Sequence, residues 1–210
     1  MQTSDPLPEC RYDDVPSPHQ GYDEWDKTLL DPIYKLSETY APPDLEPIPG
    51  TDYQVRSFIL PDLSEMMDEA AAAGVPLAVQ SAYRSYAYQA QTFEYWVNLQ
   101  GREAALESSA RAGHSEHQLG TSLDFRSADG SPAWELEDWA QTPAGAWLEQ
   151  NAHRYGFVMS YPKSKQDTTC YTYEPWHYRY VGKEAARALQ ETDLTLREWL
   201  WNKQDNGQSE

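Results

Sequence analysis

The chain has 210 residues, 40% hydrophobic and 13% aromatic, and its 16 basic and 34 acidic side chains give a formal net charge of -18. This content suits one packed domain and excludes global disorder, while the acidic excess repels phosphate backbones and anionic lipid head groups, so no nucleic-acid partner is expected. No stretch approaches the roughly 18 apolar residues of a membrane helix, and the opening MQTSDPLPEC has neither the basic nor the apolar region of a signal peptide.

Residues 1–50 carry many of the 15 prolines, in DVPSPHQ and YAPPDLEPIPG, among scattered Tyr, Trp and Leu. Proline fixes φ and removes a backbone donor. This segment is therefore expected to pack as an irregular strap on a domain spanning 51–203, with one short helix near Glu24 to Leu30. From Leu60, LPDLSEMMDEAAAAGVP sets Leu63, Met66, Met67 and Ala70 at helical spacing, with Asp62 as N-cap and Gly74 and Pro76 as the stop. LAVQSAY (77–83) reads as a short buried strand turning at Arg84 and Ser85, and helices follow over about 86–99 and 102–108. SLDFRSA is strand-like through Phe125, WELEDWAQTPAGAWLEQNAHRYG holds one or two helices ending at Gly156, and FVMSYP is another strand. WHYRYVG alternates like a half-buried strand, a helix covers 183–189, TLREWLW follows, and 204–210 form a polar tail. Helices bracketing short strands without a βαβ rhythm predict an α+β fold, with a small antiparallel sheet and helices to one side.

Cys10 and Cys170 lie far apart and fit no CxxC metal pattern. A disulfide tying the strap to the domain is the sharper reading, and two separate buried thiols are the alternative.

The stretch GHSEHQLGTSLDF (113–125) concentrates two of the chain's five histidines and two acids around a glycine. A strand, a turn at Gly120 and a returning strand would bring His117 and Asp124 to one point, although an exposed His and a solvated Asp would look the same in sequence. Zinc takes nitrogen, sulfur or carboxylate ligands, and a catalytic site keeps three protein ligands and one open position. The pair therefore needs a third ligand and a base. YEPWHYRYV offers candidates for both, because Glu174 and His177 on an extended segment project to one region. One of them can bind metal while the other takes a proton from water. The neighbouring Trp176, Tyr178 and Tyr180 imply a partly desolvated setting. In QSAYRSYAYQ (80–89) a buried strand ends at Arg84, a guanidinium costly to bury unless it meets an anion or a cavity. It is either a salt-bridge partner or a group that stabilises an oxyanion.

In this order, SAYRSYAYQ, SEHQLGTSLDF and YEPWHYRYVG resemble the motifs of VanY-type D-alanyl-D-alanine carboxypeptidases, in the zinc peptidase group that includes lysostaphin-like enzymes and the hedgehog N-terminal domain. The resemblance spans Ser81 to Gly182. It implies a small central antiparallel sheet with flanking helices, and His117, Asp124 and His177 as zinc ligands. It further implies Glu174 as general base, Arg84 as the group stabilising the transition state, and Ser115 and Gln89 on the substrate side. His114 stands where relatives often differ and is read as lying behind the ligands or on the surface. The activity implied is removal of terminal D-Ala from peptidoglycan stem peptides or precursors, with D,D or L,D specificity open, by an extracytoplasmic monomer whose leader is absent from these residues. The rivals are a murein endopeptidase of the phage-lysin kind and a non-catalytic zinc-containing binding module, and the second needs neither Glu174 nor Arg84.

Overall fold

The computed structural model describes residues 6–205. Its N-terminal stretch forms only short ladders: β1 (Val15–Pro16) runs parallel to β2 (Tyr34–Lys35), and β3 (Leu45–Pro47) runs antiparallel to β4 (Gln54–Arg56). Leu29, Leu30, Ile33, Leu36 and Tyr40 are nevertheless buried, because polar side chains of the rest of the chain fasten this segment down. Arg111 donates to the Asp14 carboxylate and to the Pro32 carbonyl, and Gln118 Nε2 donates to the carbonyls of Ser37 and Tyr40. Arg197 Nε donates to Asp31 Oδ2 at 2.7 Å. The helix expected near 24–30 is reduced to a 3-10 turn over Tyr22–Glu24. The carbonyls of Trp25 and Thr28 accept from Arg179 instead (2.7 and 2.8 Å). The Asp31 carboxylate then takes the backbone N–H groups of Ile33 and Tyr34, which bends the chain away.

Helix α1 (Leu60–Ala72) buries Leu63, Met66 and Ala70 as one stripe. Asp62 does not cap it. A 3-10 turn over Ser57–Ile59 feeds the helix, and Asp62 lies inside its first turn. Its carboxylate accepts from the Tyr180 hydroxyl (2.6 Å) and pairs with Lys183 (2.8 Å). Helix α2 (Tyr86–Gln100) starts at Ser85, whose Oγ accepts the Tyr88 N–H. The other helices are α3 (Arg102–Ser108), α4 (Pro143–Asn151), α5 (Gln166–Thr169), α6 (Lys183–Gln190) and α7 (Leu196–Asp205). Residues 204 and 205, expected in a polar tail, continue α7, and the remaining tail residues 206–210 lie outside the described residues.

The central sheet holds β5 (Leu77–Ser81), β6 (Ser122–Ser127), β7 (Phe157–Met159) and β8 (His177–Tyr180), in the order β5-β6-β8-β7 with every neighbouring pair antiparallel. Alternation along the strands separates two faces. Leu123, Phe125, Phe157, Tyr178 and Tyr180 join Leu63 and Met66 of α1 and Leu148 of α4 in the main core. Ser122, Asp124, His177 and Arg179 take the opposite positions. That face is polar yet buried, because the strap and a 3-10 turn over Glu116–Leu119 cover most of it. Strand β8, expected to be half-buried, is buried at every residue, since β6 and β7 flank it and both its faces are covered.

A disulfide joins Cys10 to Cys170 at the end of α5, with a Cα–Cα distance of 5.4 Å. In the chain-entropy account, closing so long a loop stabilises the fold by about 3–5 kcal/mol. Cys10→Ser is therefore expected to lose stability of that order in denaturant titration. Thiol counting on the oxidised protein, unfolded without reductant, should find no free thiol, and two free thiols would contradict the bridge.

Candidate active site

The first motif folds as a turn followed by a strand. Ser115 opens the 3-10 turn, its Oγ accepting the His117 N–H at 3.3 Å, and Gly120 closes it with φ at 72°. Only glycine suits this position. The left-handed φ disfavours other residues, and a Cβ would come within 3.0 Å of the Leu45 side chain and 3.1 Å of that of Arg56. The strand–turn–strand arrangement expected here is thus replaced, with His117 projecting from the turn and Asp124 from β6. Asp124 lies directly opposite His177 in the ladder between β6 and β8. Glu174 precedes β8 in a turn, where its carbonyl accepts the His177 N–H at 3.2 Å.

His117 Nδ1 donates to the Ala82 carbonyl at 2.7 Å. This fixes the tautomer and leaves Nε2 bare, 3.3 Å from Asp124 Oδ2 and without a hydrogen-bond partner. His177 Nδ1 lies 3.0 Å from Asp124 Oδ1 and 4.0 Å from Glu174 Oε2, while its Nε2 lies 3.0 Å from Glu116 Oε2. The two imidazoles meet edge to face, with ring centroids 4.8 Å apart. One ligand atom from each of His117, Asp124 and His177 lies within 4.8 Å of the others, and all three residues are buried. Two imidazole nitrogens, one carboxylate and an orphaned buried lone pair fit a divalent cation with affinity for nitrogen.

Burial and charge set the protonation states. Burial, reinforced by the Arg84 charge, lowers His117 to about 4, so its ring is neutral. Burial opposes the charged form of His177, but hydrogen bonds to Asp124 and Glu116 outweigh it and raise the ring to about 10. Burial likewise works against the Asp124 carboxylate, and the charged His177 ring that donates to it holds it well below the usual range. Glu174 is different. Burial pushes it up to about 8, with Asp124 and Glu116 adding to the rise and His177 and Arg84 opposing it.

Arg84, Ser115, Glu174 and the three candidate ligands line one cleft of about 790 Å³, with Tyr88, Trp134 and Trp176 among its aromatic walls. Arg84 is aimed by Ser81 Oγ and Gln89 Oε1, at 2.7 and 2.8 Å. Its backbone N–H donates to the His117 carbonyl, and its guanidinium lies 3.6 Å from Asp124. Gln89, expected on the substrate side, is instead 1% exposed. Its amide bridges Arg84 and the Ala110 carbonyl, so it holds the guanidinium from behind. His114 is neither on the surface nor behind the ligands. It is buried against the strap, Nδ1 donating to the Asp31 carbonyl and Nε2 lying 3.1 Å from Asp14. The residue that the motif reading passed over is Glu116. Its available signal was position, an acid beside His117 in a turn, with Arg179 two residues beyond His177 and therefore on the same face of a strand.

A family model described as VanY, D-alanyl-D-alanine carboxypeptidase, matches residues 52–183. A putative carboxypeptidase of Bacillus subtilis (strain 168), YodJ, is 41% identical over 182 residues, covering 82% of this chain and 66% of the relative. The chain spans between 41% and 66% of the length of the first curated relatives it matches. Among solved structures, the LdcB LD-carboxypeptidase is 39% identical with a TM-score of 0.71, covering 81% of this chain and 83% of the other. A glutamate-to-alanine variant of the vancomycin-resistance D,D-pentapeptidase VanY, in complex with Zn(II), is 33% identical with a TM-score of 0.72, covering 84% and 99%. VanYB in complex with D-alanine-D-alanine is 32% identical, with the same TM-score of 0.72, covering 84% and 98%.

A metal at these ligands must displace the proton that His177 carries up to about pH 10. Affinity is therefore expected to rise with pH by about tenfold per unit between pH 6 and 9, one proton being released per ion. Competition with a chromophoric chelator across that range measures it. His117→Ala and His177→Ala should abolish tight binding, and full metal retention in both would remove the assignment.

Proposed function

Because the chain belongs to the VanY family of D-alanyl-D-alanine carboxypeptidases, we propose that it is a zinc-dependent carboxypeptidase removing the terminal D-alanine from peptidoglycan stem peptides. The observation that carries this reading is the convergence of His117, Asp124 and His177 within 4.8 Å, with Glu174 and Arg84 facing the same cleft. Zinc at such a site acts as a Lewis acid that acidifies water and polarises a peptide carbonyl. Glu174 takes the proton of the attacking water. A carboxylate raised by burial is a stronger base than a solvated one and can return the proton to the leaving amine. Arg84, held by Gln89 and Ser81, offers its free N–H groups to the oxygen that gains charge, or to the substrate's terminal carboxylate. Ser115 lines the same wall.

A binding module that merely holds zinc would need neither a half-buried carboxylate beside the ligands nor an aimed guanidinium, and Glu174 and Arg84 occupy these positions here. One chain supplies every residue of the site, so a monomer suffices. Among the described residues no helix is long and apolar enough to cross a membrane. The Cys10–Cys170 disulfide favours an oxidising, extracytoplasmic setting, which is also where the wall substrate lies. The chain's acidic surface would steer it away from phosphate-bearing polymers rather than toward them.

Glu174→Gln keeps the shape of the side chain and removes its capacity to accept a proton. It should retain zinc and thermal stability while turnover on a defined stem pentapeptide or tetrapeptide falls by about 10²-fold or more. Arg84→Lys should also be impaired, since an ammonium cannot reproduce the planar fork. Wild-type turnover by zinc-loaded Glu174→Gln would remove this mechanism.

A further inference from the structure

Glu116 is a buried carboxylate with both oxygens engaged. Oε1 accepts from Arg179 Nη1 at 3.0 Å, and Oε2 accepts from Ser160 Oγ at 2.6 Å and faces His177 Nε2 at 3.0 Å. Glu116, Ser160, His177 and Arg179 are each less than 5% exposed. Taking an ion pair out of water is costly, and well-packed apolar residues of equal volume often serve stability as well. The arrangement therefore calls for a reason other than stability.

The reason lies in which atom of His177 is left for a metal. An imidazole can turn its ring over and present either nitrogen, and the hydrogen bond made by one nitrogen decides which remains as a ligand. Here Glu116 takes Nε2, so Nδ1 is the nitrogen turned toward Asp124 and Glu174. Glu116 is itself immobilised. His177 and Arg179 share one face of β8, and Arg179 Nη2 is anchored on the Trp25 and Thr28 carbonyls of the strap. A line of hydrogen bonds thus runs from the strap backbone through Arg179 and Glu116 to His177. Asp124 offers no substitute, because it meets the ring on its other nitrogen.

We propose that Glu116 is the positioning residue of the metal site. It fixes the ring orientation and tautomer of His177, and the N-terminal strap, through Arg179, is a working part of that site. The proposal rests on the metal-site reading above and adds to it a residue that touches neither metal nor substrate.

The test uses the whole chain and zinc alone. In the zinc-loaded wild type, nitrogen-15 NMR of the histidine rings should find His177 protonated at Nε2 and metal-bound through Nδ1. Glu116→Gln keeps the size of the side chain but loses the charge. Its zinc affinity, measured by chelator competition well below the unfolding temperature, should fall about 10- to 100-fold. Ser160→Ala, which leaves the ion pair intact, should weaken affinity several-fold, and it decides the matter if Glu116→Gln does not fold. A purely structural Glu116 predicts lower unfolding temperatures with unchanged zinc affinity of the folded protein. Wild-type affinity in both variants, or His177 bound through Nε2, would overturn the proposal while leaving the metal site standing. A wild-type chain that takes up no zinc would overturn both.

Discussion

Asp124 and His177 face each other across one antiparallel pair of strands, and the register of that pair decides whether a site exists at all. Side chains alternate along a strand, so a slip of one residue between β6 and β8 would send Asp124 toward the core and Leu123 or Phe125 toward the ligands. The aromatic face forbids the slip. Phe125, Phe157, Tyr178 and Tyr180 pack edge to face with ring centroids 5.2–6.3 Å apart. A displaced register would bury the polar residues among these rings. Hydrophobic packing on one face of the sheet thus sets the geometry of polar chemistry on the other.

The polar face carries a second constraint. Asp124, Glu116, His177 and Arg179 are buried together with the partly exposed Arg84 beside them, and each charge is tolerable only because its neighbour is fixed. That fixing comes from covering elements. The 3-10 turn that supplies His117 is closed by Gly120, and the strap supplies carbonyls to Arg179 and Gln118. The disulfide clips the strap's start to α5, and the Asp31–Arg197 ion pair ties its middle to α7. The proline-rich segment is therefore continuous with the support of the site, although none of its described residues lines the cleft. Loosening the strap would expose a cluster of buried charges, which ties rigidity of the N-terminal segment to function.

Much of the fold was legible in local pattern. The 3.6 spacing of Leu63, Met66 and Ala70 marked α1, the turn at Arg84 and Ser85 preceded a helix, and Gly156 marked a helix end. Phe125 and the 157–159 run marked strands. Of the residues singled out in the motifs, Arg84, Ser115, His117, Asp124, Glu174 and His177 face one cleft, while Gln89 and His114 do not. What local pattern missed is everything decided by distant partners. Asp62 reads as a helix cap until Tyr180 and Lys183 arrive from 118 and 121 positions away (180 − 62 and 183 − 62). The segment 24–30 reads as helical until Arg179 removes its carbonyls. Strand β8 reads as half-buried until the strap covers it. The family resemblance implies Gln89 as a substrate contact, but Arg84 and the Ala110 carbonyl engage both ends of its amide. Glu116 looks like one more acid among 34 until Arg179, Ser160 and His177 surround it.

In the proposed function, the half-buried Glu174 and one metal site act together on the last peptide bond of a chain ending in D-alanine. The most direct measurement is mass spectrometry of defined stem tetrapeptide and pentapeptide incubated in oxygen-18 water with the zinc-loaded protein, beside a sample stripped by chelator. The account predicts a single released D-alanine and one heavy oxygen in the new terminal carboxylate, with no reaction in the stripped sample until zinc is restored. Cleavage at an internal bond, cleavage that survives metal removal, or intact peptides after incubation with the zinc-loaded chain would contradict it.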